Sequence, residues 1–124
     1  MSDEDERWAR GAEMFTEVVG MPAPKRGDDY VADVVIDQVF AEIWTRPGLT
    51  RKERRWIAIT CACASGAPFA MATHLGAALS SGDISIEELR EFVIMFAAYA
   101  GHPAATAARA ALDKAAGNSR RPDA

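Results

Sequence analysis

Apolar residues recur at intervals of three and four along most of the chain, which is the spacing of one face of an α-helix. The first such stretch runs from about residue 3 to residue 19 and ends at Gly20, ahead of a proline-containing loop over residues 20–27. Its apolar face is formed by Trp8, Ala12, Phe15 and Val19. Strand-like alternation is hard to find anywhere, so the pattern predicts an all-α fold.

A second helix is predicted over residues 28–44, before Pro47 and Gly48 end it. Its apolar face is formed by Val31, Val34, Val35, Val39 and Ile43. Because β-branched residues lower helix propensity, packing must hold this helix.

Capping boxes mark the starts of the third and fifth helices, Thr50 with Glu53 and Ser85 with Glu88. A fourth helix is predicted over residues 69–80 and an alanine-rich sixth over residues 104–116. The apolar face of the fifth helix is formed by Leu89, Phe92, Val93, Phe96 and Tyr99. We expect helices three, four and five to pack as antiparallel neighbours, and the polar tail over residues 117–124 to be frayed.

The composition agrees with one small helical domain: 124 residues, 49% of them apolar, and many alanines in the second half. Small side chains imply close helix packing and a thin core, which favours a homo-oligomer. A net charge of −4 disfavours nucleic acid as a partner. No signal peptide and no apolar run of about 18 residues is found, so we expect a cytoplasmic protein that does not enter a membrane.

Two histidines are candidates for chemistry. His74 lies among small residues of the fourth helix, which leave room beside an imidazole, although a core or interface histidine bonded to a backbone carbonyl is the simpler explanation. His102 stands between Gly101 and Pro103, where we expect extended backbone and a ring that reaches into a cleft between helices five and six. Its alternative role is a C-terminal helix cap.

Charged candidates surround the start of the third helix. Glu42 places a carboxylate on a stripe that begins apolar, and its alternative is a surface ion pair with Arg46. Arg46, Arg51, Arg54 and Arg55 offer counter-charges for a small carboxylate, although most of them are expected to be solvated. Cys61 and Cys63 have a C-x-C spacing that fits neither a redox loop nor a zinc ribbon, and two histidines make a metal site improbable.

Three segments, residues 42–49, 74–79 and 99–105, together make the chain resemble the carboxymuconolactone decarboxylase family over about residues 7–115. The resemblance implies the helical bundle of alkylhydroperoxidase D-like proteins, assembled as trimers or hexamers. The peroxidase branch of that superfamily uses a C-x-x-C pair and a relay glutamate. Ala67, Ala70 and Arg55 occupy the corresponding positions here, so thiol peroxidase chemistry is ranked last.

The decarboxylase branch implies a cofactor-free reaction in aromatic-acid catabolism on 4-carboxymuconolactone or a similar small carboxylated lactone. His74 is then expected to donate the proton or stabilise the dienolate, with Glu42 orienting it or sharing the proton. One or two of the arginines would bind substrate carboxylate, and His102, at a position that varies in the family, would set substrate choice. Residues expected to line the pocket are Trp44, Phe96 and Tyr99, each of which packing explains more simply. The alternative is a diverged member that acts on another small molecule, or one without catalysis.

Overall fold

The computed structural model describes residues 2–117. Over that range it contains six helices and no strand, which confirms the all-α fold expected from the sequence. Contacts divide the chain into two compact units, one ending at Arg54 and the other beginning at Arg55. The tail that we expected to be frayed lies, from residue 118 onward, outside the described residues. The expectation of a single domain stays a prediction.

The N-terminal unit consists of two helices. Helix α1 (Asp3–Val19) begins with a capping box between Ser2 and Asp5, a start signal that the sequence pattern did not reveal, and ends at Gly20. Helix α2 begins as α-helix over Tyr30–Val34 and continues as a π-helix over Val35–Ile43. The predicted apolar face of α1 is confirmed, because its four members pack against a core centred on Val18, Ile36 and Phe40.

The π-helix changes which residues of α2 face inward. The Trp44 N–H donates to the Val39 carbonyl oxygen, five residues earlier, at 2.9 Å. Since each π turn holds an additional residue, apolar positions that would share one α-helical face are rotated apart. The predicted face was therefore partly wrong within the π segment, where Ile43 is exposed and Ile36, Phe40 and Ala41 are buried. Val31 and Val34, in the α-helical start of α2, are exposed as well.

Gly11 allows α1 to approach this π segment closely. A Cβ atom at that position would overlap the Ile36 carbonyl oxygen and lie 3.1 Å from the Ala41 Cβ atom. Because a backbone oxygen moves only with its helix, no rotamer change of a neighbour relieves such an overlap. Phe40 completes the core, with Phe15 edge-on at 5.1 Å and Trp44 stacked at 6.0 Å between ring centroids.

The C-terminal unit contains four helices: α3 (Arg51–Ser65, of which residues 55–65 belong here), α4 (Pro68–Ser81), α5 (Ile86–Ala100) and α6 (His102–Ala115). They share one core, whose fully buried members include Ile59, Leu75, Leu89 and Leu112. The capping boxes at Thr50 and Ser85 are both formed, so these two predicted helix starts are confirmed.

Helix α6 is the close neighbour of both α4 and α5, whereas we expected the sequential helices three, four and five to be the main neighbours. The reason is the small size of its inward residues, which lets backbones come near each other. The packed alanines of α6 are Ala104, Ala105, Ala108, Ala111 and Ala115. Tyr99 was wrongly assigned to the inner face of α5, since it is 84% exposed. No helix within residues 2–117 combines the length and apolar character needed to cross a membrane.

Candidate functional site

His74 is partly buried in α4, directly before the buried Leu75 and one turn after the buried Met71. Its Nδ1 atom is out of contact with solvent and has no hydrogen-bond partner among the described residues. Nδ1 therefore makes no bond to a backbone carbonyl within the described residues, and the alternative of an interface histidine stays a prediction. Burial, followed by the positive charge of Arg55, lowers the pKa of His74 below its ordinary value of 6.5.

Arg55 lies in the interior of the same unit. Its side chain is 1% exposed, and its Nε atom donates to the Asp83 Oδ2 atom at 2.7 Å. Arg55 precedes Ile59 by one helical turn, so a guanidinium continues the apolar stripe of α3. Among the four arginine candidates, Arg55 is buried within an ion pair. At such a position, removal of the acidic partner alone would lower the free energy of unfolding by several kcal/mol.

Asp83 reaches Arg55 from the loop between α4 and α5. Gly82 ends α4 in the left-handed conformation, with φ of 77°, and Ile84 anchors the other side of Asp83 with only 1% exposure. The Asp83 N–H donates to the Ser81 hydroxyl, and the Ile84 N–H donates to the Ala78 carbonyl oxygen. Hydrogen bonds on both sides of Asp83 therefore fix a tight turn, from which the carboxylate accepts the hydrogen bond of Arg55.

Glu42 lies in the N-terminal unit, near the end of the π-helix, and its side chain is 53% exposed. Arg10 of α1 pairs with it, the NH2 and Oε1 atoms being 3.4 Å apart, while the Arg10 Nε atom donates to the neighbouring Ala41 carbonyl oxygen. The surface ion pair that we considered for Glu42 thus exists with Arg10 instead of Arg46. The pairing of Glu42 with His74 stays a prediction.

The other three arginine candidates belong to the N-terminal unit. Arg46 is exposed, and its carbonyl oxygen accepts a hydrogen bond of 2.9 Å from the Arg54 NH2 atom. The Arg54 Nε atom is buried and has no partner among the described residues. Arg51 lies 3.7 Å from Glu17 across an exposed ion pair. The Arg54 side chain therefore stabilises the turn before α3 through its hydrogen bond to the Arg46 carbonyl oxygen, and the Arg46 side chain is accessible to solvent.

The pocket candidates have separate surroundings. Trp44 stacks on Phe40 in the N-terminal core, and Phe96 is buried in the C-terminal core, so packing accounts for both. His102 is the first residue of α6, whereas we expected extended backbone and a helix from residue 104, because Pro103 is accommodated within the first helical turn. The predicted cleft exists: His102 lines a groove of about 340 Å³ between α5 and α6.

The two cysteines differ in environment. Cys61 is exposed, whereas Cys63 is buried and burial raises the pKa of its thiol to about 11. At neutral pH about one Cys63 in 10⁴ is then a thiolate, the form that reacts with peroxides. Within residues 2–117, no three side chains of the His, Cys, Asp and Glu types are grouped as metal ligands.

Sequence reasoning missed Asp83 and Arg10. Asp83 follows a helix-ending glycine and reads as an ordinary loop residue, and its partner lies 28 positions earlier. Arg10 stands 32 positions before Glu42. Neither pair has a local spacing that a single sequence could reveal. The position of Arg55, one helical turn before Ile59, was a sequence signal that this arginine is buried and needs an acidic partner.

Residues 31–114 match the profile of the carboxymuconolactone decarboxylase family. The chain is also 33% identical over 115 residues to a 4-carboxymuconolactone decarboxylase of Acinetobacter baylyi, an alignment that covers 87% of this chain and 84% of the relative.

Proposed function

The chain belongs to the carboxymuconolactone decarboxylase family, and from that premise we propose that it decarboxylates 4-carboxymuconolactone or a similar small carboxylated lactone. The observation that carries the proposal is His74, an imidazole with an unpartnered buried nitrogen under the influence of the buried cation Arg55. Buried polar atoms without partners are uncommon in folded proteins, and perturbed pKa values cluster at functional sites.

The reaction places definite demands on a site. The bond between the ring carbon and the carboxylate carbon breaks, carbon dioxide leaves, and the bonding electron pair stays on the ring carbon. The unsaturated lactone delocalises this pair onto its carbonyl oxygen, and one proton then adds to carbon. An enzyme must therefore bind the substrate's carboxylates, stabilise charge on the lactone oxygen and deliver the proton.

His74 suits the stabilising role. Since its pKa is lowered, the imidazole of the free protein is neutral at neutral pH. A neutral imidazole donates one N–H to an oxygen that gains negative charge, without first losing a solvated proton. When an anionic substrate binds, its charge raises the pKa of the ring, so the same residue then acquires the proton that the product carbon needs.

Arg55 and the two other arginine candidates have different parts in this proposal. With 1% exposure Arg55 offers no surface to a substrate arm, and its part is the positive charge that lowers the pKa of His74. Arg46 and Arg54 are the candidates for direct contact with a substrate carboxylate. Glu42 orients His74 or shares its proton, with Arg10 holding the carboxylate in place.

Self-assembly is the second part of the proposal. The C-terminal unit exposes large apolar side chains, with Phe69 at 74%, Ile94 at 67% and Met95 at 62%. Covering such residues with further copies of the chain removes apolar area from water. We propose a homotrimer or homohexamer, which native mass spectrometry distinguishes from a monomer.

The direct test is loss of the ultraviolet absorbance of 4-carboxymuconolactone in the presence of purified protein. We expect His74→Gln to lower kcat at least about a hundredfold, as removal of a charge-stabilising donor does in other enzymes. The matched control is Cys61→Ser, an exposed change on α3 that should leave the rate unaltered. Equal rates for wild type and His74→Gln would overturn the assignment of His74.

A diverged substrate is the second candidate, favoured by the groove between α5 and α6. Its wall is apolar on the α5 side and carries His102, Thr106 and Arg109 on the α6 side. If wild-type protein does not accelerate decay of 4-carboxymuconolactone, a panel of other carboxylated lactones is the next experiment. A substrate turned over at a rate that depends on both His74 and His102 would support this candidate.

A further inference from the structure

The groove of about 340 Å³ between α5 and α6 combines apolar surface with a row of polar side chains. Its α5 side is formed by Val93, Ile94 and Ala97, and Ala105 of α6, which is 5% exposed, adds apolar surface beside them. All of these residues belong to the C-terminal unit. The volume is at the lower end of the range of about 300–1,000 Å³ that is typical of small-molecule pockets. The groove therefore has room for one small organic molecule.

The polar side chains of the groove lie in one row along α6. His102, Thr106 and Arg109 follow each other at intervals of four and three positions, so they share one face of the helix. All three are exposed, and their side chains make no hydrogen bond or ion pair with any residue in the described part of the chain. At a rise of about 1.5 Å per residue, the row is about 10 Å long. It therefore offers hydrogen-bonding groups along the whole length of a small molecule.

Arg109 gives this row a positive charge. The acidic residue of α6, Asp113, lies one turn after Arg109 and pairs with Arg90 of α5 at 3.0 Å. Within residues 2–117, the lining of the groove contains no aspartate or glutamate. A guanidinium binds a carboxylate through two parallel N–H donors, a geometry that few other groups match. The charge of the groove therefore favours an anionic occupant.

We propose that this groove binds a small organic carboxylate with an apolar body. Arg109 binds the carboxylate, and the apolar body lies against Val93 and Ile94. Thr106 and His102 donate hydrogen bonds to a further oxygen atom where the molecule has one. The inference goes beyond the proposed decarboxylation, because it concerns binding alone and holds for a carboxylate that does not react.

A small carboxylate fits this groove better than the apolar surface of a second copy does. Apolar side chains laid over the groove would bury Arg109 without an acidic partner, and burying an unpaired charge is costly. A carboxylate with an apolar body neutralises the guanidinium and removes the apolar wall from water at the same time.

The test is titration with 3-phenylpropionate, which has a carboxylate and a phenyl ring and does not decarboxylate readily. Isothermal titration calorimetry gives the Kd, and the NMR resonances of the two histidine rings locate the site. We expect the His102 resonances to shift. 3-Phenylpropan-1-ol, which lacks the charge, and acetate, which lacks the ring, should each bind at least about tenfold more weakly. A shift of the His74 resonances without one at His102 overturns the inference, because the carboxylate then binds elsewhere.

Two substitutions on α6 make a matched pair. Arg109→Met and Lys114→Met each remove one positive charge from the same helix, but Lys114 does not line the groove. We expect Arg109→Met to raise the Kd at least about tenfold and Lys114→Met to leave it within about twofold of the wild-type value. Equal effects of the two substitutions would mean that net charge attracts the carboxylate, and they overturn the inference.

Thr106→Phe tests the groove itself, because a ring at this exposed position occupies the groove without changing the charge. We expect it to abolish binding of 3-phenylpropionate and to leave the Tm and, by native mass spectrometry, the number of copies unchanged. Unaltered binding overturns the inference, and so does a smaller assembly, which would assign the groove to contact between copies. None of these measurements requires turnover of 4-carboxymuconolactone, so failure of this inference is distinguishable from failure of the proposed function.

Discussion

The N-terminal unit and the C-terminal unit are both helical, but they differ in the size of their core side chains and in where they keep their charges. The first packs Phe15, Phe40 and Trp44 around a π-helix, and its ion pairs are half exposed. The second packs alanines and leucines closely and buries Arg55 with Asp83. Exposed ion pairs change the free energy of unfolding little, whereas burying an ion pair carries a large desolvation penalty. The buried pair is therefore the better guide to a functional site.

The largest expected effect tests the aromatic core of the N-terminal unit. Phe40→Ala removes a ring that contacts both Phe15 and Trp44, and we expect a loss of about 3–5 kcal/mol in the free energy of unfolding. Glu91→Ala, at an exposed polar position of α5 in the other unit, should change it by less than about 0.5 kcal/mol. Urea denaturation measures both, and a Phe40→Ala loss below about 1 kcal/mol would contradict this account of the core.

A second pair of variants compares glycines in the two units. Gly11→Ala should destabilise by about 1–3 kcal/mol, because the added methyl overlaps the Ile36 carbonyl oxygen. Gly76→Ala, in the middle of α4 with open space around it, should stabilise by about 0.5–1 kcal/mol through helix propensity. Thermal denaturation monitored by circular dichroism gives both signs. A neutral Gly11→Ala would mean that α1 does not require this close approach.

A smaller effect concerns pH and the C-terminal unit. The folded-state pKa of His74 lies below its ordinary value of 6.5, so the unfolded chain binds the proton more readily. The contribution of His74 to the free energy of unfolding is therefore fully present above pH 6.5. It is lost progressively as the pH falls from 6.5 to the folded-state pKa of His74. Urea midpoints at neutral pH and at about pH 5 should differ more for wild type than for His74→Gln. Equal differences would show that other groups cause the pH dependence.

The smallest expected effect concerns the exposed pair of the N-terminal unit. Glu42→Gln should change the free energy of unfolding by less than about 0.5 kcal/mol, because both side chains are about half exposed. If Glu42 takes part in the proposed reaction, the same variant lowers kcat. Loss of stability without loss of kcat would assign Glu42 a structural role alone.

Much of the fold could be predicted because its signals are local. The spacing of Trp8, Ala12 and Phe15 and the capping boxes at Thr50 and Ser85 each depend on residues within a few positions. The inner face of α2 could not, since a π-helix breaks the periodicity on which the prediction relied. Tyr99 fits the helical pattern of α5 and is exposed all the same.

The candidate site was predicted less completely. His74 and Arg55 stood out by residue type, and burial together with the positive charge of Arg55 lowers the pKa of His74. Asp83 did not, because ion pairs between distant positions leave no periodic trace in one sequence. The roles of Glu42, Arg46 and Arg54 stay predictions, as does that of His102.

The π segment also bears on how relatives of this chain are aligned. One residue removed from Val35–Ile43 would return the segment to α-helical spacing, in which successive residues are rotated by about 100° around the axis. In an alignment, such a deletion is a single gap that resembles harmless variation in loop length. Here that gap would stand for a change of helix type in the segment that lies against Gly11 of α1.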